Sequence, residues 1–332
     1  MSQVEILLPR VVPLGGLRSM NVRRTIPQRK RTTIGAWCFI DHYGPNDVAA
    51  TGGMDVAAHP HVGLQTVSWL FAGRIRHRDS AGNNAIVCPG ELNLMTAGRG
   101  ISHSERSTDD TQILHGVQLW VVLPSSALNA PRSLEHFVPK IFGVQDQWFA
   151  QVFLGSLLGV SSPITTFTEL TGAELNLSPG ITLAIDVPTR HEHGILVDNG
   201  SIEISEAGLG SQRVIKDQLA FVRAGVKRIH LTAGDEGARM LFIGGQPFTE
   251  EIYMWWNFIG RRHEDLVEAS KDWAEQISLS QDKAGRPRDE RPLAPAQGTV
   301  DGRFGMPFDE PEGPLPAPTM PNVRLMPRKN AL

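Results

Sequence analysis

From the start of the chain to about residue 250, short apolar and β-branched runs alternate with Gly, Pro, Asn and Asp. Residues 66–71, 85–88 and 116–123 are of strand length, rich in Val, Ile, Leu and Trp, and end at turn formers, as do 181–185, 194–197, 201–204 and 240–243. Residues 78–83 (RDSAGN) predict a hairpin turn and Pro89-Gly90 a second turn. The pattern predicts an all-β protein of sandwiches or barrels. It repeats, less clearly, in the second half, so two related β-domains are expected: residues 1–135 and 136–260, joined near 125–145. After residue 260 the period changes. Leu266, Ser270, Trp273 and Ile277 fall at helical spacing and predict one amphipathic helix over residues 262–278. From about Lys283 Pro and Gly become dense and periodicity ends, so residues 261–332 are expected to hold the helix and an extended tail that either lies across the surface or stays disordered.

Composition narrows the function classes. With 332 residues, 41% hydrophobic and 20% charged, the chain has the makeup of a soluble globular protein large enough for two cores. A net charge of −3 supplies no basic field for phosphate, so nucleic acid is not an expected partner. No run approaches 18 apolar residues and the opening MSQVEILLPRVVPLGG carries no long apolar segment behind a basic start, so neither a membrane span nor a secretory leader is expected; the expected location is cytoplasmic. Cys38 and Cys88 are too few for a disulfide framework and are expected as buried thiols, Cys88 near the site.

The chemistry concentrates in His59-Pro60-His61 and His103-Ser104-Glu105. On a strand, residues i and i+2 share a face about 7 Å apart, so each motif aims two donors at one point. Two such strands inside a small barrel would bring three imidazoles and one carboxylate together, a ligand set suited to Fe(II), Mn(II), Ni(II), Cu(II) or Zn(II). A lone histidine is more often a surface or hydrogen-bonded core residue than a ligand; four donors at matched spacing reverse that balance. His42 and His77 are expected beside the site or in structural roles, and His115 has less claim. His191-Glu192-His193 repeats the HxH spacing, but only an isolated His230 follows it, so no metal is expected there. Gly98-Arg99-Gly100 fits no phosphate-loop pattern and is read as a tight turn. Trp255-Trp256 is expected to pack between barrel and helix.

Gly53, His59-Pro60-His61, Gln65 and Gly73 follow the layout of the first cupin motif, with Gln65 where many cupins carry Glu. The stretches HPHVGLQTVSWLFAG, HRDSAGN and PGELNLMTAGRGISHSE, with Asp41-His42-Tyr43-Gly44-Pro45 upstream, closely resemble the pirin family over roughly residues 35–125. The resemblance implies a bicupin, two stacked antiparallel β-barrels of jelly-roll type followed by a C-terminal helix and extended tail. It also implies one divalent metal in the first barrel, Fe(II) foremost with Mn, Ni, Cu or Zn as alternatives, held by His59, His61, His103 and Glu105. Gln65 is not among those ligands, so its departure bears on their surroundings. Family members are associated with quercetinase activity and, in animals, with transcriptional co-regulation through a protein partner.

Four protein ligands on an octahedral metal leave two positions, one or both of which a flavonol-like substrate would fill, its electron-rich anion then open to attack by O2. Glu105 is expected to double as general base, with Phe39, Trp69 and Met95 as candidates to line the mouth. Two functions use the same ligands: a quercetin 2,3-dioxygenase-like oxidoreductase, and a non-enzymatic metal-bound regulator whose redox state alters a surface read by a protein partner. A metal-dependent sugar isomerase is set aside because its sites follow a different ligand spacing.

Overall fold

The computed structural model describes residues 4–14, 20–206, 210–283 and 298–330. The front half forms two antiparallel sheets. One has seven strands, in the order Ser133–Phe137, Leu92–Thr96, Leu64–Ala72, Ile113–Val122, Trp37–Asp47, Asn21–Ile26 and Arg10–Pro13. The other has four: Asp55–His61, Ile101–Ser107, Ile75–Asp79 and Asn84–Val87. Val22, Tyr43, Leu70 and Leu114 of the larger sheet meet Val56, Ile75 and Val87 of the smaller in one buried cluster, so the two sheets pack face to face as the walls of one flattened barrel. The second half is a nine-stranded antiparallel sheet built around Glu192–Glu206 and Arg228–Gly245. It wraps around its own aliphatic core, with Val152, Leu175, Ile195, Val197, Ile202, Leu231 and Phe242 among its members. The bicupin architecture expected from the sequence is therefore present.

The two barrels stack through the outer face of the seven-stranded sheet. Trp37, Val67, Trp69 and Leu119 pack there against Phe153, Leu196, Leu241 and Ile243. Both faces of Leu64–Ala72 and Ile113–Val122 are thereby covered, and nearly every residue along them is buried. The chain passes from the first sheet to the second between Phe137 and Phe142. One segment runs the other way: Val4–Leu7 pairs with Leu219–Val222 of the second sheet, so the start of the chain ties the barrels together.

Residues 194–197 and 201–204, read as two strands, belong to one continuous strand, Glu192–Glu206. Asp198-Asn199-Gly200 has turn composition, yet the break is absorbed by bulges on either side and by Gly200 at φ +74°, and both halves keep the same partner strand. The helix covers His263–Lys283, longer than the expected 262–278. Its Leu266, Ala269 and Trp273 pack on Ala58 and Val62 of the front barrel together with Phe304 and Met306 of the tail. Neither described helix is long and apolar enough to cross a membrane. Residues 284–297 of the expected tail lie outside the described residues, whereas 298–330 lie extended across the front barrel. Ser102 N–H reaches the Phe304 carbonyl, Leu315 N–H the Ala58 carbonyl and Arg328 N–H the Ile252 carbonyl. Glu310, buried, takes Arg106 Nη1 at 2.7 Å.

Candidate metal centre

Strand Ile101–Ser107 lies between Asp55–His61 and Ile75–Asp79. In register, His103 faces His59 on one side and Asp79 on the other, Ile101 faces His61, and Glu105 faces His77. Alternation keeps His59 with His61, and His103 with Glu105, on the face turned into the barrel. A bulge between His103 and Glu105 shifts Glu105 opposite Val56 and re-aims its carboxylate. The ring nitrogens of His59, His61 and His103 consequently lie within 4.8 Å of one another, all buried. Glu105 stands apart from that trio, in an overlapping group with His103 and His77. Its Oε1 is 3.1 Å from Ser68 Oγ, which in turn lies 2.9 Å from Gln118 Oε1.

Hydrogen-bond partners indicate which nitrogens of His59, His77 and His103 carry protons. His59 Nδ1 donates to the Ala57 carbonyl at 2.9 Å, leaving its Nε2 lone pair free. Asp79, gripped by the Asn83 amide and the Ala81 N–H, takes the Nε2 proton of His77 at 3.2 Å. Burial works against the Asp79 carboxylate, but the bonds from His77 and Asn83 outweigh it and hold its pKa below the usual range. His77 Nδ1 then accepts from His103 Nδ1 at 3.4 Å, which turns the His103 Nε2 lone pair toward His61 Nε2, 3.0 Å away. Carboxylate-to-imidazole chains of this kind orient metal-binding histidines.

Burial drives the His59 pKa down to about 4 and pushes His61 and His103 well below the ordinary histidine value, with the neighbouring His59 adding to both shifts. All three are neutral at pH 7. Three buried imidazoles whose ring nitrogens converge form a donor set that fits a divalent transition metal. Burial also raises the Glu105 pKa, against the pull of His77 and Ser68.

The trio forms the floor of a cavity of about 540 Å³, a size suited to a small ligand. Phe39 and Trp120, stacked with centroids 4.0 Å apart and planes at 10°, form one wall, and Trp120 meets the His61 ring edge-on at 5.1 Å. Phe39 thus lies where the sequence placed it. Trp69 and Met95 do not. Trp69 points out of the barrel, stacked on Phe153 of the second barrel with its Nε1–H on Glu174 at 2.8 Å. It sits one residue from inward-facing Ser68, so strand alternation turns it away. Met95 is sealed in a small cluster with Ala97, Ile101 and Leu134.

Trp255 and Trp256 pack toward the helix cluster as expected but also line the cavity, as do Gln118, Asn257 and Leu315, which sequence reasoning missed. Gln118 left a signal: it is the lone amide within the otherwise apolar and histidine-bearing strand ILHGVQLWVV. Cys38 is buried against the Trp120 carbonyl, and Cys88 is half-buried and outside the cavity lining. Gly98 adopts φ +53° where a side chain would strike the Ala130 carbonyl, the tight turn expected there.

His42 and His115 belong to a second cluster, between the barrels. Asp198 Oδ1 lies 2.7 Å from His42 Nε2 and 2.6 Å from His115 Nε2, and Asp198 Oδ2 accepts from Arg239 at 2.6 Å. Arg239 and Asp198 both belong to the second barrel, and the bonds from Asp198 to His42 and His115 tie the first barrel to it. A larger hollow of about 700 Å³ lies on the second barrel beside Phe149 and Arg239, and no histidine lines it.

Residues 19–121 match the family model described as Pirin, and residues 172–277 the model described as Pirin C-terminal cupin domain. A Pseudomonas aeruginosa protein provisionally named a quercetin 2,3-dioxygenase is 38% identical over 267 residues, 80% of this chain and 82% of that one. A pirin-like protein of Caulobacter vibrioides is 29% identical, covering 77% of this chain and 89% of the relative. Among solved structures, a quercetin 2,3-dioxygenase from Acinetobacter baumannii matches with a TM-score of 0.83 and 31% identity over 97% of each chain. A bacterial pirin from Escherichia coli in complex with nickel(II) shares the fold, with a TM-score of 0.56 at 16% identity over 74% of this chain and 100% of that one.

Proposed function

Since this chain belongs to the pirin family, we propose that its front barrel is the centre of a metal-dependent dioxygenase of the quercetin 2,3-dioxygenase type. The observation that carries the proposal is the trio of buried imidazoles whose ring nitrogens meet at the floor of an aromatic-walled cavity. His59, His61 and His103 would hold the ion, with Glu105 as fourth ligand after a side-chain rotation away from Ser68. Fe(II) is the first candidate; Mn, Ni, Cu and Zn suit the same donors, and the E. coli relative was solved with nickel(II). When bound, the metal supplies Lewis acidity that lowers the pKa of a coordinated hydroxyl.

The remaining work falls to the chain. Phe39 and Trp120 give the cavity an apolar wall beside which a flavonol ring would lie, and Leu315 and Leu325 of the tail line its mouth. Glu105, beside His103 and bonded to Ser68, would take the proton of the substrate hydroxyl. Oxygen uptake by iron-loaded protein with quercetin tests the reading. Uptake that disappears in His103→Ala and falls in Glu105→Gln is expected; no uptake across several metals and flavonols contradicts it and leaves a metal-bound regulator acting through a protein partner.

A further inference from the structure

The cavity above the imidazoles is one-sidedly basic. Among its lining residues Glu105 alone is acidic, whereas Arg10, Arg24 and Arg328 arrive from three separate segments. Arg24 is already satisfied: Asp41 takes its Nε and Nη2, each at 2.7 Å, and its guanidinium lies 4.2 Å above the Phe39 ring. Arg10 spends one hydrogen on the Pro27 carbonyl at 2.9 Å, and among the described residues neither Arg10 nor Arg328 is ion-paired with a carboxylate. Partial burial, then Arg24 and Arg328, push the Arg10 pKa down against the pull of Asp41, so the three like charges feel one another.

Nor does Arg328 belong to a loose end. Its N–H is bonded to the Ile252 carbonyl at 2.7 Å. Two residues on, the Asn330 side chain accepts from Thr32 and Thr33 N–H at 2.8 and 3.0 Å and donates to the Thr33 carbonyl at 3.1 Å. The tail is pinned at the residue that reaches the cavity and again two residues beyond it. Holding unpaired guanidinium groups at the mouth of a site that itself takes a cation costs electrostatic energy, which an anionic ligand would relieve.

We propose that the cavity binds an aromatic carboxylate, its adjacent ring oxygens turned to the imidazoles and its carboxylate held at the mouth by Arg10 and Arg328. This rests on the metal-centre reading above and narrows its substrate class from neutral flavonol-like compounds to acidic ones. Arginine suits the task because its fork of N–H donors matches both carboxylate oxygens.

The test is a calorimetric titration of the full-length, Ni(II)-loaded protein with 3,4-dihydroxybenzoate and with catechol, which offer the same oxygen pair with and without the carboxylate. The acid is expected to bind about tenfold more tightly. Added salt should erode that preference. It should shrink to within about twofold in Arg10→Gln/Arg328→Gln and persist in Arg213→Gln, on the exposed side of a distant strand. No preference in the unmodified protein, or a preference intact in the double variant, overturns the proposal. Equal binding of both compounds that is lost on metal removal rejects the carboxylate seat and keeps the metal centre. A preference and affinity unchanged by metal removal keep the seat and reject the metal centre, and binding of neither compound rejects both.

Discussion

The two barrels share an architecture and each carries an HxH pair, yet among the described residues only the front pair belongs to a set of converging donors. In the front barrel His59 lies opposite His103 across an antiparallel pair, with His61 and Glu105 on the same inner face, and the space before them stays open as a cavity. In the rear barrel His193 points into a core already filled by Ile195, Val197 and Phe242, its ring 5.3 Å from that of Phe242. Neither of its nitrogens has a hydrogen-bond partner. Glu192, between the two histidines, turns the other way and accepts the Gly35 N–H at 2.6 Å, while His191 binds Glu169 at 2.8 Å. The spacing of a motif is therefore insufficient. What makes a site is a second strand with donors in register and inward positions left unfilled by aliphatic side chains.

Breaking each barrel in turn tests that distinction. His103→Ala should weaken metal binding by roughly a thousandfold, since about a quarter of a four-ligand binding energy goes with it. His193→Ala should leave metal content unchanged by elemental analysis. A comparable loss from both variants would mean that the rear pair also takes part.

The pH dependence of stability gives the next largest effect. The His59 pKa of about 4 in the folded protein lies below the value of about 6.5 expected unfolded, so between those pH values the unfolded chain binds more protons. The stabilisation is complete above pH 6.5 and is lost as pH falls toward 4, by roughly 3 kcal/mol for this residue. His193, driven to about 3 by burial and then by His191, acts in the same sense from the rear barrel. Urea midpoints of metal-free protein should fall steadily across this window. A flat profile would contradict the neutral, buried state of the front imidazoles.

A smaller effect separates the barrels by sign. Replacing His193 with Leu removes an unpartnered polar ring from an aliphatic core and should be neutral or stabilise by about 1 kcal/mol in urea titration. A loss of more than about 2 kcal/mol would show that the rear ring does structural work of its own.

Much of this was legible in the chain. The strands around residues 66–71 and 116–123 announced themselves by composition, and the HPH and HSE spacing, once placed on strands, led to the trio. What stayed hidden depends on information outside any local window. Trp69 and Ser68 look alike as strand residues, and only the second barrel, covering the outer face, decides that Trp69 points away from the cavity. The pairing of Val4–Leu7 with Leu219–Val222 spans most of the chain and has no local cue. Arg328 reads as one charge in a Pro-rich tail until Asn330 and Ile252 fix it at the cavity. Asp198-Asn199-Gly200 misled because turn composition and a bulge within a strand use the same residues.

The most direct test of the metal centre is X-ray absorption spectroscopy of protein loaded with one equivalent of Ni(II). The account predicts a coordination sphere of nitrogen and oxygen donors with the scattering signature of three imidazoles, reduced to two in His103→Ala. A sphere with sulfur, or with one imidazole or none, or a spectrum that His103→Ala leaves untouched, would contradict it.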